Sequence, residues 1–311
     1  MSVLVVGDTN VDLEIRLPTD VHRETHANPD PQLFGGGSAA NTAAALARLD
    51  VPCRFAGSVG DDSFGRFAVD SLIEAGVDTA AVTVSPGEPT VAVVAVVQPD
   101  GDRLIYVWPP SGGAHGALQS SDVVDAVTES DWLHVSGICL RVQPARDAVL
   151  TAMQRARAEG IPVSFDLNLR LENWGWEAGF REVAEQAVEY ADVVLGAASD
   201  EVGALAGIAD PVDAAQSLAD ESRLVVARLG ASGAVACSAN DVAVVPGFEV
   251  TVVDTVGAGD AFNAGFIAAR IRGDDVAEAL RWGNAVAGLT ASRAGARSTP
   301  TRREAQAFLD Q

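Results

Sequence analysis

Apolar positions along the chain follow two periods. Short unbroken apolar runs, as in VLVVGD (residues 3–8), PVSFDLN (162–168), DVVLGA (192–197) and RLVVARLG (223–230), read as strands buried on both faces. CRFAGSVG (53–60) and WLHVSG (132–137) read as further strands, and GAVACSA (233–239) and VAVVPG (242–247) as short ones. Between them lie helical patterns: SFGRFAVDSLIEAG (63–76), PARDAVLTAMQRARAEG (144–160) and WEAGFREVAEQAVEYA (176–191). Two more helices are predicted over approximately 260–272 and 275–294, and a last one after Pro300. Buried strands alternating with amphipathic helices predict an α/β fold, a three-layer core around a mainly parallel sheet.

Two stretches break this rhythm. VDLEIRL (11–17) alternates apolar and polar residues. TVAVVAVVQ, PDGD and RLIYVW (90–108) together read as a hairpin with an Asp-Gly turn. Both fit a small separate sheet, a lid over the carboxyl ends of the core strands. The expected division gives residues 1–10, 37–86 and 113–311 to the core, and 11–36 and 87–112 to the lid.

Composition narrows the chemistry. The 311 residues carry 43 acidic and 21 basic side chains, a net charge of −22, and every basic one is arginine. Such a surface repels nucleic acid and anionic lipid. It also fits a protein adapted to high salt, as in a halophilic archaeon, where self-repulsion is screened. Without lysine there is no Walker A loop, no protein-kinase strand lysine and no Schiff base. No apolar run reaches the roughly 18 residues of a membrane span, and the chain opens on a strand rather than a leader, so a cytoplasmic protein is expected. Cys53, Cys139 and Cys237 form no CxxC pattern and read as buried small apolar residues. His22 and His26 have helical spacing but no metal motif around them.

Glycine marks the candidate chemistry. In DTVGAGDAFNAGF (254–266), Gly257, Ala258 and Gly259 precede Asp260 and an apolar helix. Small residues leave the first helical N–H groups open to an anion, and the helix dipole favours negative charge there. Asp260 beside that anion is a candidate general base for a hydroxyl, with simple helix capping as the alternative. Gly35, Gly36 and Gly37 precede a second helix that carries Asn41, as if to admit a ligand. Asn10 and Asp12 follow the first strand, where a short carboxylate could grip sugar hydroxyls or merely form a turn.

These segments resemble the PfkB carbohydrate kinases, the ribokinase family. The likeness rests on GGGSAANTAAALARL and DTVGAGDAFNAGF, with GSVGDDSFGRF, SFDLNLRLENW, LGASG and RAGARSTP in the same order over nearly the whole chain. It implies a ribokinase-like core with a β-sheet lid, ATP with Mg²⁺, and phosphorylation of a hydroxyl on a small sugar or sugar acid. Carried over by position, Asp260 matches the catalytic base and Gly257–Gly259 the anion hole. Asp12, Gly36, Gly37 and Asn41 match sugar contacts, with Asn10 beside them. Gly230, Ser232 and Gly233 match the nucleotide loop, and Asn284 the adenine wall. Asp254, Val256 and the loop from Ala294 to Thr299 match a site for a monovalent cation such as potassium.

The pattern is nearest to 2-keto-3-deoxygluconate kinases and fructokinases. There Arg170, near Asn168, reaches the nucleotide or a substrate anion. Two positions depart from the family. GAASDE keeps Glu201 but has Ala198 where relatives carry asparagine, which leaves Mg²⁺ to water-mediated contact. YVWPPSGGA lacks the lid arginine of sugar-acid kinases and offers Trp108 as an apolar or stacking wall. A nucleoside or pentose-phosphate kinase of the same fold is the alternative, and a non-catalytic sugar-binding regulator a third reading. Asp260, near positive dipole ends, is expected to stay ionised as a weak base whose proton moves late. The lid strands are expected to pair two copies into a homodimer.

Overall fold

A computed structural model describes residues 1–17, 31–98, 103–110 and 112–311. His22 and His26, the 99–102 turn and part of the expected lid segment lie outside these.

Nine strands form the main sheet. They are β1 (Val3–Val6), β4 (Cys53–Gly60), β5 (Asp78–Ser85), β8 (Trp132–Ser136), β9 (Val163–Asp166), β10 (Val193–Ala197), β11 (Leu224–Arg228), β12 (Ala234–Cys237) and β13 (Val242–Val245). Their order is β13-β12-β11-β10-β9-β8-β1-β4-β5, parallel except for the last two chain segments, β12 and β13. This is the expected α/β class. Side chains alternate across the sheet. Leu4 and Val6 pack into one core with the helices Ser120–Thr128, Ala145–Glu159, Ala178–Tyr190 and Pro211–Leu218. Val3 and Val5 pack into the other, with Ser38–Arg48, Ala258–Arg272, Val276–Ala291 and Arg302–Leu309.

A second sheet has order β3-β2-β6-β7, with β2 (Asn10–Arg16), β3 (Gln32–Gly36), β6 (Ala92–Val97) and β7 (Arg103–Trp108). The β6–β7 pair is the antiparallel hairpin expected from its alternation. Two strands went unseen in the pattern. β5 lies at the main sheet's edge and mixes polar with half-buried positions. β3 is five residues, two of them glycine, and owes its place to pairing with β2.

The helices 258–272 and 276–291 touch through glycine. A Cβ on Gly265 would fall 2.8 Å from the Trp282 carbonyl, and one on Gly283 2.8 Å from the Phe262 ring. This contact seats the helix that carries Asp260 against the core, so its first turn is held at the sheet's carboxyl edge.

Candidate active site

Asp8 organises the first wall. It follows β1, is buried, and its two oxygens accept the backbone N–H groups of Ser38 (2.8 Å) and Ala39 (3.3 Å). It thereby caps the helix 38–48 from the turn between β1 and β2. That helix presents Ser38 and Asn41 to Asp260. Ser38 Oγ donates to Asp260 Oδ1 (2.7 Å) and Asn41 Nδ2 donates to Oδ2 (3.0 Å). Asp260 sits in the first turn of its own helix, where Gly257 is the N-cap and no side chain caps. Simple capping is therefore not its role; its carboxylate is aimed across the site.

The electrostatics correct one expectation. Burial pushes Asp260 up to about 7, nearby Asp166 and Asp8 add to the rise, and the two hydrogen bonds only partly oppose it. Desolvation outweighs the dipole. The Asp260 carboxyl is thus tuned near neutrality rather than held ionised well below it.

The glycines divide into two groups. Gly257 has φ 77°, and a Cβ there would run into the Ala296 carbonyl. A Cβ on Gly259 would meet only the Arg228 guanidinium, at 3.6 Å, an ordinary contact. Chain packing therefore requires glycine at 257 but not at 259, which is the pattern of a turn kept open for a ligand. The 35–37 triplet is different. A Cβ on Gly35 would land on Arg297. One on Gly36 would lie 2.6 Å from both Asn10 Nδ2 and Asp12 Oδ2. One on Gly37, at φ 95°, would lie 2.7 Å from the Asp8 carbonyl. Here the close approach is by the protein's own groups.

Asn10 and Asp12 are not a turn. They stand two apart on β2, and Asn10 Nδ2 donates to Asp12 Oδ1 (2.6 Å). Burial raises Asp12 to about 6, against the pull of Asn10 and Arg297. Trp108 ends β7 and is half exposed.

On the other side, β9 ends in a strained loop. Asn168 and Arg170 both have positive φ, 39° and 48°. Asn168 is buried with Nδ2 3.5 Å from Ser136 Oγ, while Arg170 is exposed. Glu201 accepts the N–H of Leu169 (3.0 Å) on one oxygen and that of Ala197 (2.6 Å) on the other. Both of its oxygens are thus engaged by backbone N–H groups, and Arg228 lies 3.4 Å from one of them. Among the described residues no three His, Cys, Asp or Glu side chains form a metal-binding group.

Gly230 and Ser232 lie in a 3₁₀ turn after β11, and Gly233 has φ 102° with a Cβ position blocked by the Val245 carbonyl. Asn284 Nδ2 donates to the carbonyls of Val245 (3.2 Å) and Pro246 (3.1 Å), so it ties the end of β13 to the helix Val276–Ala291. Asp254 joins two segments, accepting Val256 N–H on Oδ1 and Gly295 N–H on Oδ2, each at 3.1 Å. The Thr299 carbonyl already accepts Arg48 Nε at 2.6 Å. That positive charge weighs against a cation at the Thr299 carbonyl.

Three groups escaped the sequence reading. Arg228, at the end of β11, donates to Asp166 (2.9 Å) and Asn263 (2.6 Å), and lies 3.4 Å from Glu201. This buried cluster sits directly beneath Gly259. Arg297 reaches Asn41, Ser71 and Gly36. Ser38 completes the Asp260 cradle. DAFNAGF contains Asn263, and an arginine ending an apolar strand was a visible oddity, but their partners are tens to hundreds of residues away.

Residues 1–302 match the pfkB family of carbohydrate kinases. The chain belongs to this family. It is 35% identical over 311 residues to an ATP-dependent ribose-1-phosphate kinase of Halopiger xanaduensis, covering 99% of this chain and 98% of that one. Among solved structures it resembles a putative ribokinase II of E. coli in complex with ATP and Mg²⁺, with TM-score 0.88, 27% identity and 99% of both chains covered. A fructokinase double mutant of Vibrio cholerae O395, bound to fructose, ADP and a potassium ion, matches with TM-score 0.82 and 30% identity over 99% of this chain and 98% of that one. As a pfkB carbohydrate kinase the chain is a phosphotransferase with an alcohol acceptor.

Proposed function

We propose that this kinase transfers the γ-phosphoryl group of ATP to a hydroxyl of a small sugar or sugar derivative, with Asp260 as general base. The observation that carries the reading is the Asp260 carboxylate, held by Ser38 and Asn41 at the first turn of a helix and tuned by burial to about 7. The acceptor hydroxyl approaches Asp260, its oxygen bonds to phosphorus as its proton passes to the carboxylate, and ADP leaves. The N–H groups of the 257–259 turn face the transferring phosphoryl, and Arg228 beneath Gly259 adds to their field.

Asp12, Asn10, Asn41, Gly36 and Gly37 line the acceptor end, with Trp108 as an outer wall. Arg170 and Asn168 flank the phosphates. Gly230, Ser232 and Gly233 form the nucleotide loop, and Asn284 shapes the adenine wall. Glu201 would hold the Mg²⁺ that comes with ATP, through water, and the ion would neutralise phosphate charge. Potassium suits the carbonyl-rich contact between residues 254–256 and 294–299, which Asp254 draws together.

A sugar-phosphate acceptor is the second reading, favoured by the full-length likeness to a ribose-1-phosphate kinase. Two copies pair through the lid: β7 leaves Leu104, Ile105, Tyr106, Val107 and Trp108 about half exposed or more, an apolar edge that needs cover. No helix among the described residues is long and apolar enough to cross a membrane, in keeping with a cytoplasmic enzyme. ADP release measured in molar KCl with fructose, 2-keto-3-deoxygluconate, ribose, ribose 1-phosphate and nucleosides tests the assignment. Turnover with one sugar class supports it; ATP binding with no acceptor turned over favours the regulator instead.

A further inference from the structure

An asparagine can serve Asp260 in only one of its two amide orientations. With Nδ2 toward the carboxylate it donates; turned over, its Oδ1 would face a carboxylate oxygen and repel it. Arg297 decides between them. Its Nε donates to Asn41 Oδ1 (3.1 Å) while Asn41 Nδ2 donates to Asp260 Oδ2 (3.0 Å). A guanidinium has donors only, so the flipped amide would lose both bonds at once. Arg297 is in turn fixed by Ser71 Oγ (2.7 Å), on the helix Ser63–Glu74, and by the Gly36 carbonyl (3.0 Å), at the end of β3. The absence of a side chain at Gly35 is what lets it through.

We propose that Arg297 is a positioning residue for phosphoryl transfer: it locks the Asn41 carboxamide in the orientation that serves Asp260, and through Gly36 it ties that orientation to the lid. This rests on Asp260 being the base. An arginine here links the loop 294–299, the lid strand β3 and the catalytic carboxylate in one hydrogen-bonded chain. Its three acceptors are neutral, so its charge also remains available to the carboxylates around it, Asp12 and Asp260.

The test is a titration of the Asp260 carboxyl carbon by NMR in aspartate-labelled protein, with Mg-ATP binding and far-UV circular dichroism as fold controls. The Asp260 signal is the one lost in Asp260→Asn. The groups that act on it are Asp166 and Asp8, which raise it, the donors Ser38 and Asn41, and the positive Arg228 and Arg297. Arg297→Met frees the Asn41 amide and should raise the midpoint by about one pH unit or more. Arg297→Lys returns the charge without the three-way fork and should recover no more than about half of that shift. An unchanged midpoint in folded Arg297→Met, or full recovery in Arg297→Lys, overturns the proposal. Should Arg297→Met fail to fold, the lysine variant decides alone: a raised midpoint supports the orientation lock and a wild-type midpoint removes it. No turnover is needed, so an Asp260→Asn enzyme that retained activity would sink the base assignment separately.

Discussion

Asp260 and Asp12 are both raised by burial, yet their surroundings differ in kind. Asp260 belongs to the α/β core, whose sheet is covered by helices on both faces, and its oxygens are held by two side chains of a neighbouring helix. Asp12 belongs to a four-stranded sheet that packs Val11 against the helix Ser63–Glu74 and whose outer strand β7 stays largely exposed. Its Oδ1 accepts from Asn10, two residues away on the same strand. The core end of the site is thus built from long-range contacts that fix geometry before any ligand arrives. The lid end stands on a sheet in which β2 pairs with β3 and β6 and the outer strand leaves apolar side chains about half exposed or more.

The comparison can be broken most severely at Asp260. Asp260→Asn should cut kcat by about 10²–10⁴-fold with Mg-ATP affinity nearly unchanged by calorimetry. It should also stabilise the fold above pH 7. A carboxyl whose folded pKa is raised to about 7 makes the native state hold more protons than the unfolded chain, so stability falls as pH rises from about 4 to 7. Removing the charge removes that cost, which thermal unfolding at pH 5 and pH 8 would show.

The two catalytic-turn glycines sharpen the contrast between packing and function. Gly257→Ala meets the Ala296 carbonyl at positive φ and should lose about 1–3 kcal/mol of stability together with most activity. Gly259→Ala should unfold within about 0.5–1 kcal/mol of wild type, a helix-interior effect, while kcat falls. Equal stability losses in denaturant melts would show that both glycines are there for packing.

On the lid side, Ile105→Asp should weaken the dimer in sedimentation and raise KM for the acceptor, leaving ATP binding and the core's melting transition unchanged. A wild-type protein that is monomeric in molar KCl with normal activity would remove the paired-lid account. The gentlest expected effect is on salt. With a net charge of −22, the unfolding midpoint should climb as KCl rises from about 0.1 M to about 1 M, where the Debye length shrinks from about 10 to 3 Å. An equally stable protein in dilute buffer would contradict adaptation to salt.

Legibility in the sequence followed the range of the contacts. The strand–helix alternation, the β6–β7 hairpin and the 257–260 turn are local patterns and were readable. β3 was not, because only its pairing with β2 makes it a strand. The family likeness pointed to Asp260 and Asn41, but nothing local connects residue 41 to residues 260 and 297, or Asp166 to Arg228 and Asn263. The ionisation of Asp260 was misjudged for the same reason. The helix dipole is visible in the chain, whereas burial and the approach of Asp8 and Asp166 exist only once it folds. The sequence showed the Gly35–Gly37 triplet but not that Arg297, Asp12 and Asp8 pack against it.

The central claim is that Asp260, tuned by its burial and its two donors, takes the proton. The most direct measurement is the pH dependence of kcat/KM at saturating Mg²⁺ in the wild type and in Ser38→Ala. The base works deprotonated, so activity should rise with pH through an apparent pKa of about 7. Ser38→Ala removes one of the bonds that lower it, so that limb should move to higher pH. A limb at the same pH in both proteins, or no limb at all, would contradict the account.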